Sequence, residues 1–136
     1  MKQPSILKKE PIVAELKKVN LKEKLASFEE PWVPKVVGEL NGQFVKVAHF
    51  EGEYVWHHHE EEDELFLVVE GRVEIHLRDR IVELEPGEFT IVPRGVEHKP
   101  VAHGRAQVLM FEPASTRNTG QVDHTYTIEP EDLQQI

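Results

Sequence analysis

Residues 65–92 read LFLVVEGRVEIHLRDRIVELEPGEFTIV, and this stretch decides the fold class. Within it Val73, Ile75 and Leu77 alternate with Arg72, Glu74, His76 and Arg78, the period of two that sends successive side chains to opposite faces of a strand. Turn signals at Glu70-Gly71, Asp79-Arg80 and Pro86-Gly87 cut the run into strands over 65–70, 73–78, 81–84 and 89–92. The same grammar extends outward in both directions. Strands are predicted over 36–37, 44–50 and 54–59 upstream, and over 96–102 and 106–112 downstream. Asn41-Gly42, Glu51-Gly52, Arg94-Gly95 and His103-Gly104 separate them. Many short strands at a spacing of roughly 8–12 residues predict an antiparallel all-β sandwich or barrel.

The flanks read differently. Asn20, with Glu23 three residues on, is a helix-start signature, so one short helix is predicted over 21–29, ended by Pro31 and Pro34. Residues 1–18 carry Pro4, Pro11 and scattered lysines, and read as an arm with one extended segment at Ile12-Val13. From Ala114 the chain is polar, with a turn at 118–120 and a last helical turn near 130–133. The expected organisation is an N-terminal arm and helix (1–35), a β-barrel (36–113) and a C-terminal tail (114–136).

At 136 residues the chain suits one domain around one core. Its net charge of −9 opposes a nucleic-acid partner, which needs clustered Lys and Arg. The early lysines, Lys8, Lys9, Lys17, Lys18, Lys22 and Lys24, read as a solvated face. The longest apolar run, 65–69, is far too short to span a bilayer, so no membrane partner is expected. Without cysteine there is no disulfide, thiolate metal site or Cys nucleophile. With no secretory signal in view, the expected compartment is the cytoplasm.

The residues that could carry chemistry are histidines and one glutamate. In His57-His58-His59 the strand period puts His57 and His59 on one face and His58 on the other, with Tyr54 and Trp56. Two imidazoles at i and i+2 can reach one cation. Glu64 opens the next strand with a carboxylate, Asp63 being the adjacent alternative. His98 follows the turn at Pro93-Arg94-Gly95, and if its strand lies beside the first pair, three imidazoles and a carboxylate converge. Such a nitrogen–oxygen set suits Fe, Mn, Ni, Cu or Zn. His49 is expected to cap a strand or line the cavity, and His76, His103 and His124 to be exposed. Arg72, Arg78, Arg80, Arg94 and Lys99 are candidates for holding a phosphate or carboxylate. Phe66, Phe89, Met110 and Phe111 are expected in the core.

At these residues the chain resembles the cupin superfamily. Gly52-(x4)-His57-x-His59-(x4)-Glu64-(x6)-Gly71 is similar to the first cupin motif, and Gly87-(x5)-Pro93-x-Gly95-(x2)-His98 to the second. The first has four rather than five residues between Gly52 and His57, and Ala102 stands where the second often ends in Asn. The resemblance implies a small jelly-roll barrel, with His57, His59, Glu64 and His98 on the metal ligands of one divalent transition metal per chain. It is strongest with short single-domain cupins of the mannose-6-phosphate isomerase-like group. The implied function is a metal-dependent enzyme on a small oxygenated substrate, by dioxygenase-like oxidation or by sugar or hydroxy-acid isomerase or lyase chemistry. The general base would be a metal-bound hydroxide or Glu64, acting from a weakly coordinated state. The alternative is a non-catalytic module that binds a sugar or carboxylate. Similar small cupins are commonly dimers, so a homodimer is expected, with Ile12-Val13 as a candidate exchanged strand.

Overall fold

A computed structural model of the protein describes residues 16–136, so the Ile12-Val13 segment lies outside the described residues. Helix α1 (Leu21–Ala26) starts where expected: the Asn20 Oδ1 accepts the Glu23 N–H at 3.0 Å. It stops three residues short of the predicted end. The Ser27 N–H and hydroxyl both turn back to the Lys24 carbonyl. His49 Nε2 lies 2.9 Å from the carbonyl oxygens of Leu25 and Phe28. Two acceptors fix the proton on that nitrogen, and the Leu25 carbonyl that another helical turn would use is taken. His49 is thus a strand residue that anchors the helix, not a cavity residue.

Eight strands follow: β1 (Lys35–Leu40), β2 (Gln43–Glu53), β3 (Glu64–Glu70), β4 (Val73–Leu77), β5 (Ile81–Leu84), β6 (Phe89–Val92), β7 (His98–Pro113) and β8 (Gln134–Gln135). They pair in the order β5-β4-β7-β2-β1-β8, and β3 joins both β7 and β6. All neighbours are antiparallel except β1 and β8. The architecture is all-β, as the strand grammar anticipates, and of the jelly-roll type that the resemblance implies.

Three departures bear on the site. The predicted strands 96–102 and 106–112 are one strand, β7, and the break between them is an irregularity. Against β2 the partner jumps from Arg105 (opposite Glu51) to Ala102 (opposite Gly52). The N-terminal part of β7 pairs with β4 and its C-terminal part with β3, so a single strand feeds both walls. Residues 54–59 form no regular strand; their one ladder contact is the bridge between His57 and His98. The tail carries a 3-10 turn (Pro130–Asp132) before β8, which lies parallel to β1.

The barrel is filled from alternating positions. Phe66 and Val68 on β3, Val73 and Ile75 on β4, and Ala106, Val108 and Met110 on β7 are buried. Phe89 is not a core residue. It is 58% exposed, because Val92 takes the inward parity of β6. Phe111 is half-buried, opposite in parity to Met110 and Glu112.

Candidate metal centre

Backbone pairing brings the four predicted residues together. The N–H of His57 donates to the His98 carbonyl at 3.0 Å, and the N–H of His98 returns to the His57 carbonyl at 2.9 Å. Gly95 donates to the His59 carbonyl at 2.7 Å, pinning the far end of the triplet to the turn before His98. Glu64 opens β3 opposite Val92 and shares its inward face with Phe66 and Val68. One ligand atom from each of His57, His59, Glu64 and His98 lies within 4.8 Å of all the others, and all four residues are buried.

The ring orientations are fixed from behind. His57 Nδ1 lies 2.9 Å from the Val55 carbonyl and His98 Nδ1 lies 2.9 Å from the Val96 carbonyl. A carbonyl only accepts, so each Nδ1 carries the proton and each Nε2 keeps a free lone pair, the arrangement metal-binding imidazoles use. His59 Nε2 and His98 Nε2 approach Glu64 Oε1 at 3.1 and 3.6 Å, yet none of the three atoms has a hydrogen-bond partner among the described residues. Buried polar atoms without partners are costly, and lone pairs converging on one point are what a cation satisfies. The nitrogen–oxygen donor set therefore fits a divalent transition metal. Asp63 is not part of it, because the Arg94 backbone N–H and guanidinium hold its carboxylate at 2.9–3.2 Å.

Electrostatics separate the groups. Burial, with the neighbouring His98, pushes His57 down to about 3. Burial alone would raise Glu64, but the imidazoles of His59 and His98 hold it well below the usual carboxylate range. Behind it lies a residue that sequence reasoning missed. Glu112 is fully buried, its Oε2 is 2.7 Å from Lys46 Nζ, and its Oε1 has no partner. Burial and the Glu64 charge push Glu112 well above its ordinary range, against the pull of Lys46. Burial, and then the Glu64 charge, raise the Tyr54 phenol.

A pocket opens beside the imidazoles. Glu64, Glu112 and His57 supply its polar wall, and Trp32, Phe50, Tyr54, Phe66 and Met110 much of the rest. Tyr54 thus belongs with His57, not with His58, because 54–59 lacks a regular strand's alternation. Trp56 does point away, under the Arg78 guanidinium at 3.8 Å. His58 faces Glu60 at 3.4 Å, outside the cluster. His76 and His103 both contact Glu74, and His124 sits in a tail turn. None of Arg72, Arg78, Arg80, Arg94 or Lys99 lines the pocket. Arg78 pairs with Glu97, Arg80 with Asp79 and Lys99 with Glu53.

Comparison with known proteins agrees with this geometry. The family model described as a cupin domain matches residues 44–112. A cupin-2 domain containing protein from Shewanella frigidimarina is 40% identical in its crystal structure, with a TM-score of 0.69 over 70% of this chain and 93% of that one. A Neisseria meningitidis protein of solved structure is 28% identical, with a TM-score of 0.67 over 71% of this chain and 99% of that one. The Bacillus subtilis protein YdbB is 36% identical over 93 residues, 68% of this chain and 76% of that protein.

Proposed function

The chain belongs to the cupin family, and from that premise we propose a metal-dependent enzyme that acts on a small oxygenated substrate at the centre formed by His57, His59, Glu64 and His98. The observation that carries this reading is the set of buried, unpartnered ligand atoms on His59, Glu64 and His98, beside His57, facing one point. A bound divalent metal would supply Lewis-acid polarisation of a substrate oxygen, or, if redox-active, oxidation with dioxygen.

The chain's own residues do the remaining work. Val55 and Val96 hold two imidazoles in the tautomer that leaves Nε2 free. Glu64 is both ligand and the candidate base, kept ionised by its histidine neighbours. Glu112, unpartnered on one oxygen, can take a hydrogen bond from a substrate hydroxyl. The apolar wall excludes water and strengthens each of these interactions. A homodimer is proposed as the working assembly, because Ile81, Phe89 and Ile91 expose large apolar side chains on β5 and β6.

The test pairs metal content with turnover. Wild-type protein reconstituted with Fe(II), Mn(II) or Zn(II) is assayed for oxygen uptake and for isomerase and lyase activity beside His59→Ala. The expected result is turnover that His59→Ala loses together with at least nine-tenths of its metal. Unchanged metal content in His59→Ala would contradict the ligand assignment. Saturable ligand binding without turnover would reassign the protein as a binding module.

A further inference from the structure

We infer that the pocket beside the metal centre takes a flat, uncharged, oxygen-bearing ring compound of the phenol class rather than a phosphorylated or otherwise anionic sugar. The inference rests on the metal-dependent reading above and narrows its substrate.

Charge is the first argument. Among the described residues the ionisable groups lining the pocket, apart from His57, are Glu64, Glu112 and the Tyr54 phenol, with no Lys or Arg. Lys46 lies behind that wall, and its ammonium is engaged by Glu112 Oε2 at 2.7 Å. A phosphate needs a guanidinium or ammonium fork to offset its loss of water. Among the described residues none lines this pocket, so a bound metal alone would have to offset an anion's loss of water. The Glu112 carboxyl presents an unpartnered Oε1 there, which can exchange a hydrogen bond with a neutral hydroxyl as acceptor or, when protonated, as donor.

The second argument is the wall itself. Trp32 packs at 4.5 Å from the ring of Phe50 and 4.6 Å from that of Tyr54, and Tyr54 lies parallel to Tyr126 at 5.6 Å. Trp32 is held there against backbone preference. Its φ of 64° is in the left-handed region, which a bulky residue rarely adopts. Its N–H donates to the His49 carbonyl and its Nε1–H to the Glu51 carbonyl, both at 2.9 Å. Strain maintained by two hydrogen bonds marks a side chain placed for a purpose. The free space between these walls is only about 30 Å³. An occupant must therefore be thin and must displace a flexible neighbour, and the Met110 thioether is the adaptable one. Aromatic walls favour a ring that stacks or meets them edge-on; Asn118, the amide on the lining, already bonds the Tyr126 carbonyl and the Ile128 N–H, which leaves a sugar's many hydroxyls few partners.

The test uses Co(II) as the metal, read by its visible absorption, with 2-methoxyphenol, fructose 6-phosphate and mannose as probes. Full-length wild type is compared with Trp32→Leu and Trp32→Phe after desalting. The expected result is saturable perturbation of the cobalt band by 2-methoxyphenol and none by either sugar at tenfold higher concentration. Trp32→Leu should weaken 2-methoxyphenol at least tenfold and Trp32→Phe less, while Co(II) affinity in both stays within twofold of wild type. A purely structural role would give Leu and Phe the same effect, or shift Co(II) affinity equally, and would overturn the assignment of Trp32. Saturation by fructose 6-phosphate or mannose at equal or lower concentration would overturn the substrate class. Failure of the wild type to develop a cobalt band would overturn the metal reading, and this one with it.

Discussion

Lys46 and Glu112 meet at 2.7 Å with both side chains almost wholly buried, Glu112 standing two positions beyond Met110, the residue opposite Lys46 in the β2–β7 register. Removing one partner strands a charge in a low-dielectric interior, which typically costs about 3–5 kcal/mol, whereas replacing both with apolar groups is close to neutral. Glu112→Leu, which leaves the Lys46 ammonium unpaired, is therefore expected to lower unfolding free energy in urea by about that amount, and Lys46→Met with Glu112→Leu to recover most of it. Equal losses in the single and double variants would contradict the pairing. His57 sets a pH dependence of known sign. It titrates near 3 in the fold against an ordinary 6.5, so between those values the unfolded chain binds more protons. The metal-free protein should keep this contribution above pH 6.5 and lose stability progressively as pH falls toward 3. Urea midpoints from pH 7 to 4 check it, and a midpoint flat in pH would contradict the buried neutral imidazole. At this scale the four cluster residues were legible, because His57, His59, Glu64 and His98 stand at the spacings of the two cupin motifs the chain resembles. Lys46 and Glu112 were not. Their one signal was parity: Lys46 alternates in step with Ala48 and Phe50, and Glu112 with Val108 and Met110, all inward. A charge on an apolar face shows its meaning only once its partner, 66 positions away, is known.

The segment 54–59 shows how an element can be misread and still place its side chains. It was expected as a strand, yet its ladder contact is the single His57–His98 bridge, flanked by lone backbone bonds from the Tyr54 N–H to the Pro100 carbonyl and from the Gly95 N–H to the His59 carbonyl. That bridge suffices to orient His57 and His98, and the Gly95 bond to the His59 carbonyl orients the rest. Tyr54, tied by its N–H to the Pro100 carbonyl, lines the pocket. The tail supplies a further support that no local pattern announces. Gly120 has φ +60°, and a Cβ there would collide with the His58 carbonyl and come within 3.2 Å of the His57 ring. Gly120→Ala is expected to weaken metal binding by about tenfold, a shift of about 1.4 kcal/mol, read by competition with a colorimetric chelator. Unchanged affinity would show that the tail merely covers the loop. Strand positions were readable because alternation and turn dipeptides are local signals. The joining of 96–102 to 106–112 and the docking of β8 were not, because both depend on which strand lies alongside.

For the whole molecule, one long strand, β7, carries His98 at its start and Glu112 near its end, and it borders β2, β3 and β4. A metal at the centre would therefore tie together the loop after β2, the first residue of β3 and the first residue of β7. No single secondary-structure element contains the site; the closed barrel makes it. None of the described helices is long and apolar enough to cross a membrane. The central claim, that His57, His59, Glu64 and His98 form a metal centre, is tested most directly by elemental analysis of untagged protein purified without chelators, expressed per chain. The account predicts about one equivalent of Fe, Mn, Ni, Cu or Zn in the wild type. Less than about a tenth of an equivalent, persisting after reconstitution with each of these metals, would contradict it.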